Sequence, residues 1–518
     1  MRRGLAVCVA LGCWALSLWL ALTWVRPGTA WGAEFSSDSA IPLLMARAPH
    51  VDLFAAYYWG QDRFGAWPFL LARYFGGRDW SAEGLQALLI VVTWTAAFPL
   101  ARLARTGVVA VGLCLCVPLL VGLPREVRAH LLDISQPYGW QFAVMAWSWL
   151  GMRGVLEART SRGAWGWGLA ATAFCGLAFW ISVSSLPSLV ALLGVECLRA
   201  RARGLAGWRR FAGAAVPLVV AGVFERQLRR LYHRFAGRTQ GHEFRTTVSV
   251  DWGHLLENTR QVLSLMGAGP VPLGGALLVL LGAGAAWWPR QGRRGLAAWA
   301  ELSGAAWLAL GGGLASLAQL PLLVAVSHVR LNAYSPRYLA LAHALALLGV
   351  AALVLGWLVA RISERVLQAA GALATVALAG AVLRWPGPPE AREVHAQARD
   401  AAEALGRVAP GTLLMGGYWD VYRLTALQPL SAQAKPLPIP EDYQRTPFHI
   451  RAMKAARELS WIQRLEAGAE PGEVPLEQEL HDVAFRRDPE PYLRSPGYAF
   501  WRYVRESPPP AGEASPTR

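Results

Sequence analysis

The chain has 518 residues, of which 54% are hydrophobic and only 16% are charged, and its mean hydropathy is +0.30. A soluble protein of this length would carry charge on about a quarter of its residues, so the composition excludes an ordinary soluble protein. The formal net charge is +16, mainly from arginine. The arginines cluster at the ends of apolar blocks, which is typical of membrane topology anchors and argues against a nucleic-acid-binding surface.

The apolar residues form long runs, and about 18 of them in a helix can cross the hydrocarbon core of a bilayer. The first run, Gly4 to Val25, is longer than the apolar part of a cleaved signal peptide, although Ala30 could end a cleavage site. It therefore predicts a first transmembrane helix. The further blocks lie at roughly 84–101, 107–123, 137–152, 164–182, 185–198, 211–224, 271–288, 296–322, 338–360 and 366–384. The sequence thus predicts an α-helical polytopic membrane protein with about eleven transmembrane helices.

Arginine in the short links between blocks predicts the orientation of the chain. With a cytoplasmic N-terminus, every cytoplasmic link is arginine-rich and the short outside links are poorer, as the positive-inside rule requires. The arginines of the cytoplasmic links are Arg102, Arg105, Arg153, Arg159, Arg162, Arg199, Arg201, Arg203, Arg209, Arg210, Arg290, Arg293, Arg294, Arg361 and Arg365. We expect a bacterial inner (plasma) membrane protein whose long segments lie in the periplasm.

The blocks and links define the expected domains. Residues 1–25 form the first transmembrane helix, and 26–83 form the first periplasmic loop. Residues 84–384 form the transmembrane bundle, which includes a periplasmic loop at 225–270. The more polar segment 385–505 predicts a small extracytoplasmic α/β C-terminal domain, and the Pro/Ser-rich end, 506–518, predicts a disordered tail.

The sequence gives little indication of a metal site or a disulfide bond. All six cysteines lie inside apolar blocks, with no spacing typical of metal ligands or of a disulfide framework. The pair His242-Glu243 and the pair of Asp251 and His254 offer a weak alternative as metal ligands. We expect neither a metal ion nor a cofactor.

The first outside loop holds the best candidate for a catalytic group. Asp38 precedes a short apolar helix predicted over Ala40–Arg47, and aromatic residues follow it from Tyr57. A carboxylate among aromatics at the end of a helix bundle is a candidate general base. The alternative is a helix N-cap, because Ser36, Ser37 and Ser39 flank Asp38 and all four residue types cap helices well.

The motifs Ser37-Asp38-x-Ala40, Leu44-Met45-Ala46 and Tyr57-Tyr58-Trp59-Gly60-Gln61 resemble the first periplasmic loop of bacterial GT-C glycosyltransferases. Similar members are the protein O-mannosyltransferases (glycosyltransferase family 39) and the lipid A aminoarabinose transferase. The resemblance implies a GT-C-like fold and a sugar donor on a polyprenyl phosphate. It makes Asp38 the catalytic or acceptor-activating carboxylate. Ser39 stands where that family often has Glu, which weakens a two-carboxylate or metal-binding site.

Further residues are candidates for binding the substrates. In the first loop these are Tyr58, Gln61 and Asp62, although Asp62 could equally be a solvated carboxylate. The resemblance also makes Arg337 and Tyr338, before the tenth block, similar to the family's lipid-phosphate contact, because a guanidinium offers a planar fork of donors to phosphate oxygens. The alternative is an interfacial Arg/Tyr anchor.

Two other segments each allow two interpretations. Arg226, Arg230 and Arg234 share one helix face, which could bind the donor phosphate or could be a basic amphipathic helix on the membrane surface. The segment Gly416 to Thr425 looks like the tail domain of the same transferases, and its alternative is a buried aromatic strand.

Together these features predict a glycosyltransferase, inverting by resemblance, that acts at the periplasmic face. It would move a sugar from a polyprenyl-phosphate donor to a glycan, lipid or protein acceptor, among membrane lipids and without nucleic acid. One alternative is a transporter or flippase of lipid-linked saccharides, which would have polar groups in mid-membrane and often inverted repeats. Another is a non-catalytic envelope-assembly protein in which Asp38 only caps a helix.

Overall fold

A computed structural model gives the fold. It describes residues 2–24, 35–48, 53–59, 64–105, 122–205, 207–239, 250–267, 297–300, 302–359, 361–363, 366, 369, 373, 377, 380, 389–439, 447–466, 470–472, 474–480 and 483–506. Two compact units emerge from the contacts within the chain. The helical unit comprises Met1–Val25, Ala87–Leu228 and Thr247–Pro386, and the mixed unit comprises Arg26–Gln86, Arg229–Thr246 and Gly387–Arg518.

The described helices are α1 (Arg2–Trp24), α2 (Ser37–Arg47), α3 (Trp67–Gly76), α4 (Ala82–Trp94), α5 (Ala97–Ala104), α6 (Arg125–Leu132), α7 (Tyr138–Glu157), α8 (Ser161–Ile181), α9 (Ser185–Ala202), α10 (Trp208–Thr239), α11 (Leu255–Gly267), α12 (Ala297–Ala300), α13 (Gly304–Leu317), α14 (Leu320–Ala325), α15 (Ser327–Leu331), α16 (Ala340–Val359), α17 (Pro389–Val408), α18 (Tyr418–Leu427) and α19 (Pro447–Ala455). Short 3₁₀ turns cover Leu53–Ala56, Trp252–His254, Pro336–Leu339 and Leu430–Ala432.

Five stretches of the described chain are long and apolar enough to cross a membrane. They are Ala82–Ala104, Ser161–Ile181, Trp208–Phe235, Gly304–Ala325 and Pro336–Val354. Each coincides with a predicted block, and helices α7 and α9 match the blocks at 137–152 and 185–198. The predicted blocks at 107–123, 271–288 and 366–384 lie wholly or largely outside the described residues. The prediction of a polytopic helical membrane protein is confirmed for the part that can be compared.

Glycine lets two helices of the helical unit approach closely. A Cβ atom added at Gly312 of α13 would lie 2.8 Å from both the Gly349 nitrogen and the Leu345 carbonyl oxygen of α16. Real Cβ atoms are not found at that distance, so only glycine fits there. Small residues at helix contacts are the usual means of tight packing in a bilayer, where lipid tails are as apolar as leucine.

A fully buried carboxylate connects α7 and α9. Both oxygens of Glu196 accept hydrogen bonds from Arg153 at 3.0 Å from Nε, and Glu196 Oε2 also accepts one from Arg199 at 2.6 Å. Trp149 Nε1 donates to Glu196 Oε1 at 2.7 Å. Several strong donors therefore replace the water that Glu196 loses, which is the condition for keeping a charge inside a protein.

The same cluster extends to the end of α5. Arg199 also pairs with Glu157 at 2.6 Å, Glu157 pairs with Arg105 at 2.9 Å, and Arg153 donates to the Leu103 carbonyl oxygen. Positive and negative groups thus alternate across the C-terminal ends of three helices, where arginine also offsets the negative end of the helix dipole. Arg153 and Arg199, which the sequence assigns to cytoplasmic links, are therefore buried ion-pair partners.

The C-terminal part of the mixed unit is an α/β domain, as predicted. Its sheet has the order β2-β1-β3-β7-β5-β4, with β6 paired to β7. The strands are β1 (Leu413–Gly417), β2 (Lys435–Ile439), β3 (Glu458–Arg464), β4 (Glu477–Leu480), β5 (Val483–Arg487), β6 (Leu493–Ser495) and β7 (Tyr498–Arg505). β1 pairs in parallel with β2 and β3, and the other pairings are antiparallel.

The aromatic segment after β1 is a helix and not the buried strand that the sequence offered as an alternative. The strand ends at Gly416 and Gly417, and Tyr418 begins helix α18. Gly416 has φ +152°, and a Cβ atom there would lie 2.4 Å from Ile462 Cγ2, so glycine is required at this strand end. The strand is thus confined to Leu413–Gly417, and the aromatic residues that follow belong to a helix.

The Glu196 cluster generates a stability prediction. Glu196→Gln removes the negative charge, which leaves Arg153 buried without a carboxylate partner and Arg199 with Glu157 alone, so we expect the free energy of unfolding to fall by about 3–5 kcal/mol. Thermal unfolding of the full chain in detergent measures it. The exposed Glu126 of the same unit is the control, since Glu126→Gln should change stability by less than about 0.5 kcal/mol. Equal effects of the two substitutions would contradict the assignment.

Candidate active site

Asp38 is the second residue of helix α2, within its first turn. Ser36 occupies the N-cap position and makes no side-chain cap hydrogen bond, so the N-cap alternative for Asp38 does not describe this helix. Asp38 is partly buried. A carboxylate in the first helical turn is favoured by the positive end of the helix dipole.

The Asp38 carboxylate has one protein partner in the described chain. Tyr418, the first residue of α18, donates its hydroxyl to Asp38 Oδ1 at 2.9 Å. In the opposite direction, Ser37 Oγ donates to the Tyr418 carbonyl oxygen at 2.6 Å. Asp38 Oδ2 accepts no hydrogen bond from any described residue, so this oxygen is available to a ligand.

A proline inside α2 leaves the Asp38 carbonyl without its helical partner. In an α-helix the carbonyl of residue 38 would accept from the N–H of residue 42, but Pro42 has no N–H. The Tyr58 hydroxyl donates to this carbonyl oxygen at 2.9 Å instead. The loop residue Tyr58 therefore satisfies the partly buried acceptor that the proline leaves open, and it thereby fixes the backbone at Asp38.

The other end of α2 is held by Arg47, which is 8% exposed. Arg47 Nη1 donates to the carbonyl oxygens of Ala426 and Gln428, at 3.0 and 2.9 Å, at the C-terminal end of α18. Its Nε donates to the Trp80 carbonyl oxygen at 2.8 Å. Burial lowers the pKa of Arg47, against the opposing charges of two nearby carboxylates. Helices α2 and α18 are thus parallel and connected at both ends.

The basic end of α10 lies in the same unit as Asp38. The guanidinium of Arg229 stands 5.6 Å from the ring centroid of Tyr57, and the Tyr57 ring contacts that of Tyr232 at 5.0 Å. Arg230 and Arg234 are exposed. Because Tyr57 and Tyr58 are neighbours in the chain, the first loop links the Asp38 backbone to this basic helix.

Arg337 and Tyr338 belong to the helical unit, at the start of the span that contains α16. Arg337 Nη2 donates to Asn332 Oδ1 at 2.8 Å and to the Tyr338 hydroxyl at 3.1 Å. Its guanidinium lies 5.0 Å from the Tyr338 ring centroid, and that ring contacts His328 at 5.7 Å. Arg337 and Tyr338, the residues predicted to contact the phosphate of the sugar donor, thus form a guanidinium–aromatic cluster.

The turn before Arg337 is strained and held from two sides. Ala333 and Tyr334 have φ of +50° and +52°, which is unfavourable for residues with a side chain. The Tyr334 hydroxyl donates to Asn258 Oδ1 at 2.6 Å, and Arg330 Nε donates to Asp251 Oδ2 at 2.5 Å. The hydrogen bond from Arg330 is the main reason that the pKa of Asp251 lies below its usual range.

The remaining candidates are placed only in part. Asp251 pairs with His254 at 2.7 Å, while Gln61, Asp62, His242 and Glu243 lie outside the described residues. Within the described ranges, no three His, Cys, Asp or Glu side chains come together as metal ligands could. Sequence reasoning overlooked three residues that fix helix α2 and its Asp38. They are Pro42, Arg47 and Tyr418, of which only Pro42 carried a local signal, as a proline inside a predicted helix.

No protein-family model and no curated protein matches the sequence. The structure does resemble that of ArnT, the lipid A aminoarabinose transferase, from Cupriavidus metallidurans. For the crystal structure of ArnT in the apo state, the TM-score is 0.54 at 16% identity, with 97% of each chain covered. For the crystal structure of ArnT bound to undecaprenyl phosphate, the TM-score is 0.56 at 16% identity, with 99% of each chain covered. An Archaeoglobus fulgidus oligosaccharyltransferase complex with Zn and sulfate gives 0.41 at 16% identity, over 84% of this chain and 62% of that one.

The likeness to ArnT extends over nearly the whole chain, both the helical bundle and the C-terminal α/β domain. The chain therefore has the ArnT fold, and the predicted GT-C-like architecture is confirmed.

The Pro42–Tyr58 arrangement can be tested by a pair of substitutions. Tyr58→Phe leaves the Asp38 carbonyl without a donor, so we expect the free energy of unfolding to fall by about 1–3 kcal/mol. In a Pro42→Ala background the restored N–H can bond that carbonyl, so the same change should cost clearly less. Thermal unfolding of the four proteins gives the coupling. An equal cost of Tyr58→Phe in both backgrounds would rule the arrangement out.

Proposed function

We propose that this chain is a GT-C-type glycosyltransferase that moves a sugar from a polyprenyl-phosphate donor to an acceptor at the periplasmic face of the inner membrane. The observation that carries the proposal is the Asp38 carboxylate, which is bound through Oδ1 and open at Oδ2. The ArnT fold supports it, since ArnT has been crystallised with undecaprenyl phosphate. The acceptor is a glycan, a lipid or a protein.

Asp38 acts as the general base in this reaction. Its Oδ2 takes the proton of an acceptor hydroxyl while the acceptor oxygen forms a bond to the anomeric carbon of the sugar. The bond from that carbon to the phosphate oxygen breaks, its electron pair leaves with the polyprenyl phosphate, and the configuration inverts. The carboxylate and its acceptor must be within hydrogen-bond reach for such a transfer, so the orientation of Asp38 matters.

Fixed cations stabilise the leaving phosphate. We assign this role to Arg337, with Tyr338 holding its guanidinium, and to Arg230 and Arg234 on α10. Negative charge grows on the phosphate oxygens as the bond to the sugar breaks, and preorganised guanidinium groups stabilise that charge best where water is sparse. Because the leaving group is already a phosphate, the mechanism has no step that needs a metal ion.

We also propose an orientation of the chain in the membrane and two residues that contact the substrates. The arginine pattern supports a cytoplasmic N-terminus, a first periplasmic loop over 26–83, a second at 225–270 and a periplasmic domain over 385–505. Gln61 and Asp62 in the first loop are proposed to contact the substrates. Tyr58 contributes by binding the Asp38 carbonyl.

The role of Asp38 is tested by Asp38→Asn in the full chain. The amide keeps the shape of the side chain but cannot take a proton, so we expect transfer to fall by about 100- to 10,000-fold. The measurement is release of undecaprenyl phosphate from donors carrying aminoarabinose or mannose, with membranes as the source of acceptor. Binding of undecaprenyl phosphate itself should stay within about two-fold. Retention of full transfer would remove Asp38 as the base.

The role of Arg337 is tested by Arg337→Ala. Loss of its guanidinium should weaken binding of undecaprenyl phosphate by about 10-fold or more, because a charge-assisted contact to phosphate is lost. The exposed Arg260 of the same unit provides the control, and Arg260→Ala should leave this affinity unchanged. If both variants bind undecaprenyl phosphate like the unaltered protein, Arg337 is only an interfacial anchor.

A further inference from the structure

We propose that Tyr418 is a positioning residue for Asp38, so that the C-terminal α/β domain forms part of the active site. The inference rests on the proposed function and names a residue on which its base depends. The first observation is the hydrogen bond from the Tyr418 hydroxyl to Asp38 Oδ1 at 2.9 Å. It is the one bond that any described side chain makes to this carboxylate.

The contact between the two residues runs in both directions. The Tyr418 side chain donates to Asp38, and its backbone carbonyl accepts from Ser37 Oγ at 2.6 Å. Two bonds between Tyr418 and consecutive residues of α2 fix both the position and the angle of the phenol relative to the carboxylate. Ser37 is fully buried and Tyr418 is 7% exposed, so water competes little with the bond between Ser37 and the Tyr418 carbonyl.

The phenol is itself held by its own domain. The ring of Tyr418 contacts those of Trp419 and Tyr422, with centroids 5.1 and 5.4 Å away. Helix α18 is anchored further along by Arg423, whose Nη2 donates to the Val394 carbonyl oxygen of α17 at 2.9 Å. The hydroxyl therefore has little freedom to follow the carboxylate, and the carboxylate must adopt the orientation that the hydroxyl sets.

This arrangement separates the tasks of the two carboxylate oxygens. Oδ1 is occupied by Tyr418, and rotation of the carboxylate about its bond to Cβ would break that hydrogen bond. Oδ2 is thereby held in one direction, where it can accept the proton of the acceptor hydroxyl. Preorganisation of this kind acts on the rate of the chemical step and contributes little to donor binding.

The experiment compares Tyr418→Phe with Tyr498→Phe in the full-length protein. Tyr498 is a buried tyrosine of the same domain whose hydroxyl makes only a long contact, 3.4 Å, to Asp420 Oδ1. For Tyr418→Phe we expect kcat for release of undecaprenyl phosphate to fall by about 10- to 100-fold. The KM for the donor should stay within about two-fold, and the protein should remain folded at the assay temperature, since the loss of one hydrogen bond costs only about 1–3 kcal/mol. Tyr498→Phe should change neither kcat nor KM.

Two outcomes would overturn the positioning role. One is an unchanged kcat in Tyr418→Phe. The other is a loss of kcat that is explained by loss of folded protein at the assay temperature or that Tyr498→Phe reproduces, because a purely structural tyrosine would behave in that way. The Asp38→Asn variant in the same assay separates this from the proposed function. If Asp38→Asn is inactive while Tyr418→Phe is fully active, only the positioning role fails, whereas an active Asp38→Asn overturns the function as well.

Discussion

The connection of helix α2 to helix α18 at both ends is the constraint on which the candidate site depends. Ser37 and Arg47, the first and last residues of α2, each donate to carbonyl oxygens of α18 or its C-cap. The two residues are ten positions apart, which is about 15 Å of helix at 1.5 Å per residue. Since α18 has nearly the same length, the two helices match along their whole extent, and a shift of either would break a bond at one end. The orientation of Asp38 is therefore tied to the C-terminal sheet domain.

Pro42 adds a second constraint from within the helix. A proline in a helix interior removes one hydrogen bond and costs about 3 kcal/mol when nothing compensates. Here the Tyr58 hydroxyl compensates, and the loop is thereby attached to the backbone of Asp38. The buried Glu196 cluster of the helical unit follows the same rule with full charges. In both places a polar group that loses its ordinary partner determines which other segment of the chain must come close.

The sequence predicted those features that depend on neighbours in the chain. The apolar blocks, the short helix after Asp38, the helical block at 211–224 and the α/β tail all follow from local pattern. Tyr418 and Arg47 could not be found in this way, because their partners lie about 380 residues away. Arg153 was assigned only to a cytoplasmic link, since nothing local shows that Glu196, 43 residues later, becomes its partner. The aromatic segment after β1 was ambiguous because residues that suit a buried strand also suit a buried helix.

Tyrosine hydroxyls hydrogen-bond to a candidate site residue in each of the two units, Asp38 in the mixed unit and Arg337 in the helical unit. In the mixed unit, Tyr58 and Tyr418 donate to the backbone and the carboxylate of Asp38. In the helical unit, the hydroxyl of Tyr338 accepts from Arg337, and that of Tyr334 anchors the strained turn before it. A tyrosine has only two side-chain torsions and a rigid apolar ring, so it loses little entropy when it is fixed. Tyrosine is also favoured at the boundary between an apolar environment and water, which is the environment at the end of a membrane-spanning helix. A hydroxyl on such a ring can both donate and accept, so the same residue type can orient a carboxylate in one place and a guanidinium in another.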